Sequence, residues 1–366
     1  MWFKRMDLEE WFDTYQFTVE IDIGESAVKY LTFEDLDIDL GRLPIRYGYH
    51  TGRPDLREII SEQYPGLSSD QVVVTSGASE ANFAIVAALL NPGDHAVVEH
   101  PNYTSNYEVP RSLGCKVDLL TLRYEDQFKP DLDKLKSMIT PDTKLVSLTH
   151  PNNPTGSMIS EQELHEIIDV VERAGTYLMF DETYRDMVFK DPLPTAASLS
   201  PRAISISSMS KCYGLPGIRI GWVASQDQFI LDSILAIREQ VSITNNALSE
   251  EIALHVLRQK SEYLDKAKEH IMKNRSIVSS WMERQNNYEW IVPEAGVVGM
   301  PRIRKDIEVD PEKLYRLLAE KYRTFTIPGR CFEVDNRYFR LGFGAHPDEI
   351  ETGLENLTRA LKELTS

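Results

Sequence analysis

Short hydrophobic runs alternate with longer amphipathic stretches through the middle of the chain. Buried strands are predicted at 71–75, 94–99, 116–120, 144–149, 177–180, 203–207 and 219–224. Between them, 80–90 has a helical pattern that stops at Asn91-Pro92-Gly93, and Ser160 with Glu163 forms a capping-box pattern. Strands that alternate with helices predict an α/β fold with a mostly parallel, seven-stranded sheet.

The pattern changes in the C-terminal part of the chain. Residues 248–284 form long helical stretches without an internal Pro or Gly, and shorter strands and helices follow Pro293 up to a last helix at 347–364. We therefore predict a large domain over 38–260. A smaller α/β domain is predicted from 1–37 and 261–366, in which the N-terminal segment packs on the C-terminal part.

Composition narrows the class of protein. The 366 residues are 42% hydrophobic and 27% charged, an ordinary globular mixture, and the net charge of −17 argues against a nucleic-acid partner. Only Cys115, Cys212 and Cys331 occur, so neither a disulfide framework nor a metal site is predicted. No signal peptide or membrane-spanning run is recognisable, and we expect a cytoplasmic protein without a membrane partner.

The first cluster of chemical interest surrounds a lysine that follows a predicted strand. Ser208 and Lys211 precede Arg219 within a stretch that also contains several glycines. A lysine amine attacks aldehydes, an arginine grips a phosphate with two N–H groups, and a serine hydroxyl adds a hydrogen bond. A surface lysine in a glycine-containing loop would show the same residues. Other motifs in the chain are therefore needed to distinguish a surface lysine from a cofactor-binding one.

This S-x-S-K…R-x-G pattern resembles the cofactor-attachment motif of class I and II aminotransferases, the aspartate aminotransferase superfamily of fold type I. The resemblance implies pyridoxal 5′-phosphate (PLP) as cofactor, with Lys211 joined to it as a Schiff base and with Ser208 and Arg219 on its phosphate. Asp181 and Tyr184, which follow another strand, are similar to the family's aspartate on the ring nitrogen and tyrosine on the ring oxygen. Lys211, Asp181 and Tyr184 are the predicted catalytic residues.

Further motifs follow in the family's order. Asn153, in an N-N-P-T-G run, resembles the asparagine that binds the ring oxygen and the substrate. Tyr103 resembles the aromatic residue that stacks on the ring. Tyr47 resembles the tyrosine that reaches the phosphate of a neighbouring subunit, which implies a homodimer with shared active sites. The rest of the phosphate site is predicted from a turn before a helix, at Gly77, Ala78 and Ser79.

Two predicted substrate contacts lie near the ends of the chain. Arg340, in a Y-F-R-L-G-F run, resembles the arginine that binds the substrate α-carboxylate, and Gly24 belongs to a segment that touches the substrate. Family members often carry G-E-P-D-F there, whereas this chain has Gly24-Glu25-Ser26-Ala27 and lacks the proline. Residues 19–33 are instead similar to capreomycidine synthase-type enzymes, which perform elimination and ring closure on an arginine derivative.

The function predicted from these motifs is an aminotransferase of amino acid metabolism or biosynthesis that moves an amino group between an amino acid and a 2-keto acid. The alternative is a PLP-dependent lyase or cyclase that uses the same carbanion. The sequence shows no clear second arginine of the kind that binds a dicarboxylate side chain, and Arg46 and Arg53, which lie near the predicted site, could equally serve structure. A transcription regulator of this fold is discarded, because only about forty residues precede the Tyr47 motif and the charge is acidic.

Overall fold

The computed structural model describes residues 2–365, so that Met1 and Ser366, the outer limits of the predicted small domain, lie outside the described residues. The strands are β1 (Ile21–Asp22), β2 (Val72–Thr75), β3 (His95–His100), β4 (Lys116–Thr121), β5 (Thr143–Thr149), β6 (Tyr177–Asp181), β7 (Ala203–Ser208), β8 (Gly221–Ser225), β9 (Tyr288–Glu289), β10 (Val298–Gly299), β11 (Arg302–Ile303), β12 (Thr324–Phe325), β13 (Ile327–Pro328) and β14 (Phe339–Gly342). The α-helices are α1 (Asp7–Tyr15), α2 (Phe33–Leu36), α3 (Pro54–Ser61), α4 (Ala78–Leu89), α5 (Ser105–Ser112), α6 (Leu132–Met138), α7 (Glu161–Ala174), α8 (Ala196–Leu199), α9 (Gln228–Glu239), α10 (Ala247–Arg258), α11 (Lys260–Arg284), α12 (Pro311–Glu320) and α13 (Pro347–Thr365).

The main sheet has seven strands in the order β2-β8-β7-β6-β5-β3-β4. Strands β7, β6, β5, β3 and β4 pair in parallel, whereas β8 is antiparallel to both β2 and β7. The predicted α/β class with a mostly parallel, seven-stranded sheet is therefore confirmed. In such a sheet, side chains at the carboxyl ends of neighbouring strands come together.

Both faces of this sheet are covered by helices, so that β2, β3, β7 and β8 are buried along their whole length. Successive residues of a strand point to opposite faces. Val98 and Met179 accordingly pack with α4 and α9, while their neighbours Val97 and Phe180 pack with α7 on the other face. Burying each such side chain contributes about 1.5–3 kcal/mol.

Local sequence signals fix several element ends. Ser160 caps α7 with a complete capping box, and the helix ends at Gly175 in the left-handed region at φ 67°. One predicted strand starts two residues later than expected. Arg219 adopts φ 53°, which strand geometry excludes, so that β8 begins only at Gly221.

The N-terminal segment joins the C-terminal part of the chain through backbone pairing. Strand β1 is parallel to β12, and β14 lies between β10 and β13 in a small antiparallel sheet. Helix α1 is anchored by Trp11, whose indole N–H donates to Thr326 O at 2.9 Å. The division into 38–260 against 1–37 with 261–366 stays a prediction. Within residues 2–365 no helix is long and apolar enough to cross a membrane.

Candidate active site

A cavity of about 440 Å³ opens at the carboxyl ends of β5, β6 and β7. Ten of the residues predicted from the sequence form part of its wall: Ala78, Ser79, Tyr103, Asn153, Asp181, Tyr184, Ser208, Lys211, Arg219 and Arg340. Helix α1 and the loop after β1 contribute the opposite side. The side formed by Ala78, Asn153, Asp181, Ser208 and Lys211 is called the sheet wall, and the side formed by Glu9, Phe12, Glu25 and Ser26 is called the N-terminal wall.

Lys211 lies three residues beyond the end of β7, in a loop that starts at Ser208. Ser208 Oγ accepts a hydrogen bond from Ser210 N at 3.4 Å, which shapes the turn before the lysine. The amine of Lys211 projects into the cavity, where Nζ donates to Ser26 Oγ at 2.9 Å and lies 3.4 Å from Glu25 Oε1. A nucleophilic amine therefore faces the centre of the cavity.

Asp181 is the last residue of β6 and presents its carboxyl group to the same cavity. Its Oδ1 accepts from Thr183 N at 2.9 Å, and no cation of residues 2–365 forms a salt bridge with it. Burial raises the pKa of Asp181, while hydrogen bonds from Thr183 and the charge of Lys211 act in the opposite direction. A cationic group placed beside this carboxylate would relieve the cost of its burial.

The turn between β2 and α4 and the side chain of Arg219 form a site for an anion. Gly77 adopts φ 82°, and a Cβ at this position would stand 2.4 Å from Arg219 Nη2. Arg219 donates to Pro216 O at 3.1 Å and to Ser76 O at 3.4 Å, which holds its guanidinium beside the turn. The first N–H groups of α4, beginning at Ala78 and Ser79, point out of the helix end and favour a negative group.

Arg340 on β14 is almost fully buried, at 1% exposure, and faces the cavity. Its Nε and Nη2 donate to Gly24 O at 2.9 and 2.8 Å, and Nη1 donates to Asn153 Oδ1 at 3.2 Å. The structure thus brings together Arg340, Gly24 and Asn153, the three predicted substrate contacts. Two of the five guanidinium N–H groups have no partner among the described residues, and they suit a carboxylate.

The two predicted ring-contacting tyrosines both make hydrogen bonds to the N-terminal part of the chain. The buried Tyr184 donates its hydroxyl to Ser26 O at 3.0 Å, and Tyr103 donates to Glu9 Oε1 at 2.9 Å. Burial raises the pKa of Tyr103, and the charge of Glu9 raises it further. Both hydroxyls therefore stay protonated and act as donors.

Tyr47 is the one predicted cofactor contact that lies away from this cavity. Its side chain is 82% exposed, and Ile45 and Tyr49 beside it are also exposed. A residue that contacts the cavity of a second subunit has to be exposed on the surface of its own chain. The exposure of Tyr47 is therefore compatible with such a contact.

The N-terminal wall contains residues whose roles the sequence did not reveal. Glu9 and Phe12 reach the cavity from α1, and Glu25 and Ser26 approach Lys211. Burial alone would raise the pKa of Glu25, but the positive charges of Lys211 and Arg340 outweigh this effect and lower the pKa to about 2. The only sequence signal was the serine that stands where relatives have proline.

The comparisons with known proteins agree with this geometry. The family described as aminotransferase class I and II matches residues 34–357. The chain belongs to this family. Capreomycidine synthase from Streptomyces vinaceus is 30% identical over 366 residues, covering 97% of this chain and 93% of that protein.

Two solved structures are similar over almost the whole chain. A PLP-dependent aminotransferase from Streptococcus suis has a TM-score of 0.93 and 30% identity, covering 100% of both chains. The PLP-dependent cyclase OrfR has a TM-score of 0.91 and 28% identity, covering 99% of this chain and 98% of its own. The chain is therefore a PLP-dependent enzyme of the aspartate aminotransferase superfamily.

The residues present fit this cofactor. A lysine amine, a buried carboxylate without a cationic partner and an anion site line one cavity. Two further polar atoms on the wall, Asn82 Oδ1 and Ser105 Oγ, are buried without a hydrogen-bond partner in the part of the chain that the structure describes. Such atoms indicate a cavity made to receive a polar ligand.

Proposed function

We propose that this enzyme is an aminotransferase that moves an amino group between an amino acid and a 2-keto acid. The observation that carries the proposal is the joint lining of one cavity by Lys211, Asp181 and Arg340 in a chain of the class I and II family. The similarity to the aminotransferase from Streptococcus suis over the whole chain supports it.

Each side chain has a part in holding the reactants. PLP supplies an aldehyde that joins amino groups and a ring that accepts electrons from the substrate. Asp181 would bind the protonated ring nitrogen, and the Gly77 turn with Arg219 and Ser208 would bind the phosphate. Asn153 would donate to the ring oxygen, Tyr184 would do so once its hydroxyl proton turns away from Ser26 O, and Tyr103 would cover one face of the ring.

Arg340 would orient the amino acid through its α-carboxylate. Its two free N–H groups are fixed in direction, because Gly24 O and Asn153 Oδ1 hold the other three. A substrate bound in this way has its α-carbon held in one orientation. Such positioning lowers the activation barrier, because the entropy of orienting the substrate is already lost on binding.

Lys211 would then serve as the base. The Nζ amine of Lys211 would take the α-proton of the bound amino acid and later give it back. Helix α1 covers part of the cavity through Glu9 and Phe12, and this cover limits the access of water during the transfer.

A second candidate is a PLP-dependent lyase or cyclase that expels a β- or γ-group or closes a ring. It is supported by the similarity to capreomycidine synthase and to the cyclase OrfR over nearly the entire chain, including the N-terminal segment that precedes the family match at residue 34. Both candidates require Lys211 and Arg340, so these residues do not separate them.

The fate of the cofactor does separate them. The enzyme is incubated with a reactive amino acid and no keto acid, and the visible absorbance of the cofactor is followed. We expect one keto acid per site and conversion of the cofactor to its amine form. Many turnovers with unchanged absorbance would instead establish the lyase or cyclase.

We further propose a homodimer in the cytoplasm in which Tyr47 reaches the phosphate of the partner's cofactor. Exposed Ile45, Tyr47 and Tyr49 form an apolar surface suited to a second copy. Mixing Tyr47→Ala with Lys211→Ala chains should restore about a quarter of wild-type activity, since half of the random dimers carry one intact site. Absence of recovery after verified subunit exchange would refute the shared site.

A further inference from the structure

Ser26 contacts two groups of the proposed reaction at once. Its Oγ accepts from Lys211 Nζ at 2.9 Å, and its carbonyl oxygen accepts from the Tyr184 hydroxyl at 3.0 Å. The residue is buried, at 3% exposure. A proline at this position would offer no hydroxyl, so the contact with the amine depends on the serine in this chain.

The backbone leaves Ser26 little freedom to move. Val28 N donates to Lys211 O at 3.0 Å, which ties the segment to the lysine loop. On the other side, a Cβ added to Gly342 would stand 1.9 Å from Glu25 O, so that only a glycine lets β14 approach so closely. The serine hydroxyl is therefore held beside the amine by structure on both sides.

Glu25 adds a negative charge to the same place. Its Oε1 accepts from Ser26 N at 2.7 Å and lies 3.4 Å from Lys211 Nζ, while Oε2 accepts from Gln16 Nε2 at 3.2 Å. Glu25 is only partly exposed, yet Lys211 and Arg340 hold its pKa at about 2, so it stays ionised at neutral pH. An ionised carboxylate near an amine stabilises the protonated amine.

The proposed removal of the α-proton ends on the Lys211 amine. Removal of the substrate α-proton breaks the Cα–H bond and forms an N–H bond on Nζ, and the electron pair stays with the substrate. The charge that appears on Nζ falls between Ser26 Oγ and Glu25 Oε1. Stabilisation of a developing charge by groups already in place lowers the barrier of the step.

We propose that Ser26 and Glu25 are positioning residues that stabilise Lys211 as the ammonium group it becomes on taking the substrate α-proton. The inference rests on the proposed function only in that an amino acid loses its α-proton, a step that the lyase or cyclase alternative shares. The same contacts oppose delivery of this proton to the cofactor, which transamination requires. The N-terminal wall thus influences which reaction follows.

Two rates that respond in opposite directions test this role in Ser26→Ala and Glu25→Gln. Exchange of the substrate α-hydrogen with D2O, measured by NMR, should slow about tenfold, because the ammonium loses a hydrogen bond or a counter-charge. Capture of PLP by the full-length protein stripped of cofactor, followed by visible absorbance, should quicken several-fold, because only the neutral amine attacks the aldehyde. Structural damage would slow both.

Two further variants serve as controls. Ser61→Ala removes a buried hydroxyl that donates to Glu58 O at 2.7 Å outside the cavity wall, and it should leave both rates within about twofold. Ser26→Thr keeps the hydroxyl and should restore both rates towards wild type. The unfolding temperature of every variant checks that it is folded.

The proposal is overturned if Ser26→Ala changes neither rate or slows both. If the wild-type enzyme exchanges the α-hydrogen but forms no keto acid, the aminotransferase proposal fails while the role of Ser26 and Glu25 stands. If no tested amino acid exchanges its α-hydrogen, the proposal is judged from the rate of PLP capture alone. An unchanged or slower capture in both variants then overturns the proposed role of Ser26 and Glu25.

Discussion

Two walls of different construction face each other across the cavity. The sheet wall is built from the ends of adjacent strands, where Asp181 on β6 and Asn153 after β5 are placed by continuous backbone pairing. The N-terminal wall is held by contacts between distant parts of the chain, such as Lys211 with Ser26 and Arg340 with Gly24. The sheet wall carries the residues proposed to hold the cofactor, and the N-terminal wall faces the amine and the substrate.

The comparison suggests how one fold serves two reactions. Similarity to both an aminotransferase and a cyclase extends over the whole chain, so the shared geometry does not choose between them. A choice must come from groups that control the proton after it leaves the substrate, and in this chain Ser26 and Glu25 contact the amine that is proposed to carry it. Variants of the two walls should therefore fail in different ways.

The largest effect is expected on the sheet wall from Lys211→Ala. Loss of both the covalent attachment and the base should lower activity by at least about a thousandfold, the middle of the range for a positioned base. Borohydride should no longer fix the cofactor to the protein, as checked by mass spectrometry. Lys116→Ala, on exposed β4, is the matched control and should behave as wild type. Cofactor still fixed in Lys211→Ala would show that another lysine holds it.

Asp181→Ala should come next. Removing one partner of a buried ion pair costs about 3–5 kcal/mol. The loss here should divide between weaker cofactor binding and a weaker electron sink, with kcat at least about a hundredfold lower. Cofactor affinity and kcat are measured together, with exposed Asp142→Ala as the control. Near-normal kcat with saturating PLP would remove Asp181 from the proposed mechanism.

The carboxyl group of Glu182, next to Asp181 but outside the cavity, shows what burial does to a carboxyl group that has no part in the site. It points away from the cavity towards Ala196 N and Ser205 Oγ, and burial raises its pKa from 4.5 to about 7. Between these values the folded state binds more protons than the unfolded state, so the free energy of unfolding falls as pH rises from about 4.5 to 7.

Glu182→Gln should remove this dependence. The variant should match the wild type below pH ~4.5 and exceed its stability by about 3 kcal/mol above pH ~7, because glutamine has no proton to lose. Urea unfolding of the protein without cofactor at several pH values measures the difference. Parallel curves for the two proteins across this pH range would contradict the prediction.

The smallest effect is expected from Arg340→Lys, where β14 meets the N-terminal wall. Lysine keeps the charge but cannot hold Gly24 O and a carboxylate together, so KM for the amino acid should rise about tenfold while cofactor affinity stays the same. Steady-state kinetics and a PLP titration separate these effects. Arg359→Lys, which alters an exposed pair with Glu355 on α13, is the matched control. A loss of cofactor affinity equal to the rise in KM would assign Arg340 a structural role instead.

The fold class and most of the sheet wall could be predicted from local patterns along the chain. The buried strands contain short hydrophobic runs, and residues at or just after their ends, such as Asp181 and Lys211, meet because parallel strands end at one edge. The position of each site residue could be predicted, because its motif lies within a few residues of the strand that places it. Helix ends such as Ser160 were equally local.

The N-terminal wall could not be predicted in this way, because its contacts join distant segments of the chain. Ser26 is 185 residues from Lys211, and Gly24 is 316 residues from Arg340, so no local pattern links the members of either pair. Their approach depends on the pairing of β1 with β12 and on glycines that let backbones come close, features that each residue shares with many surface loops. Contacts between distant segments are set by packing of the whole chain, and for this reason the partners of the Lys211 amine emerged only in three dimensions.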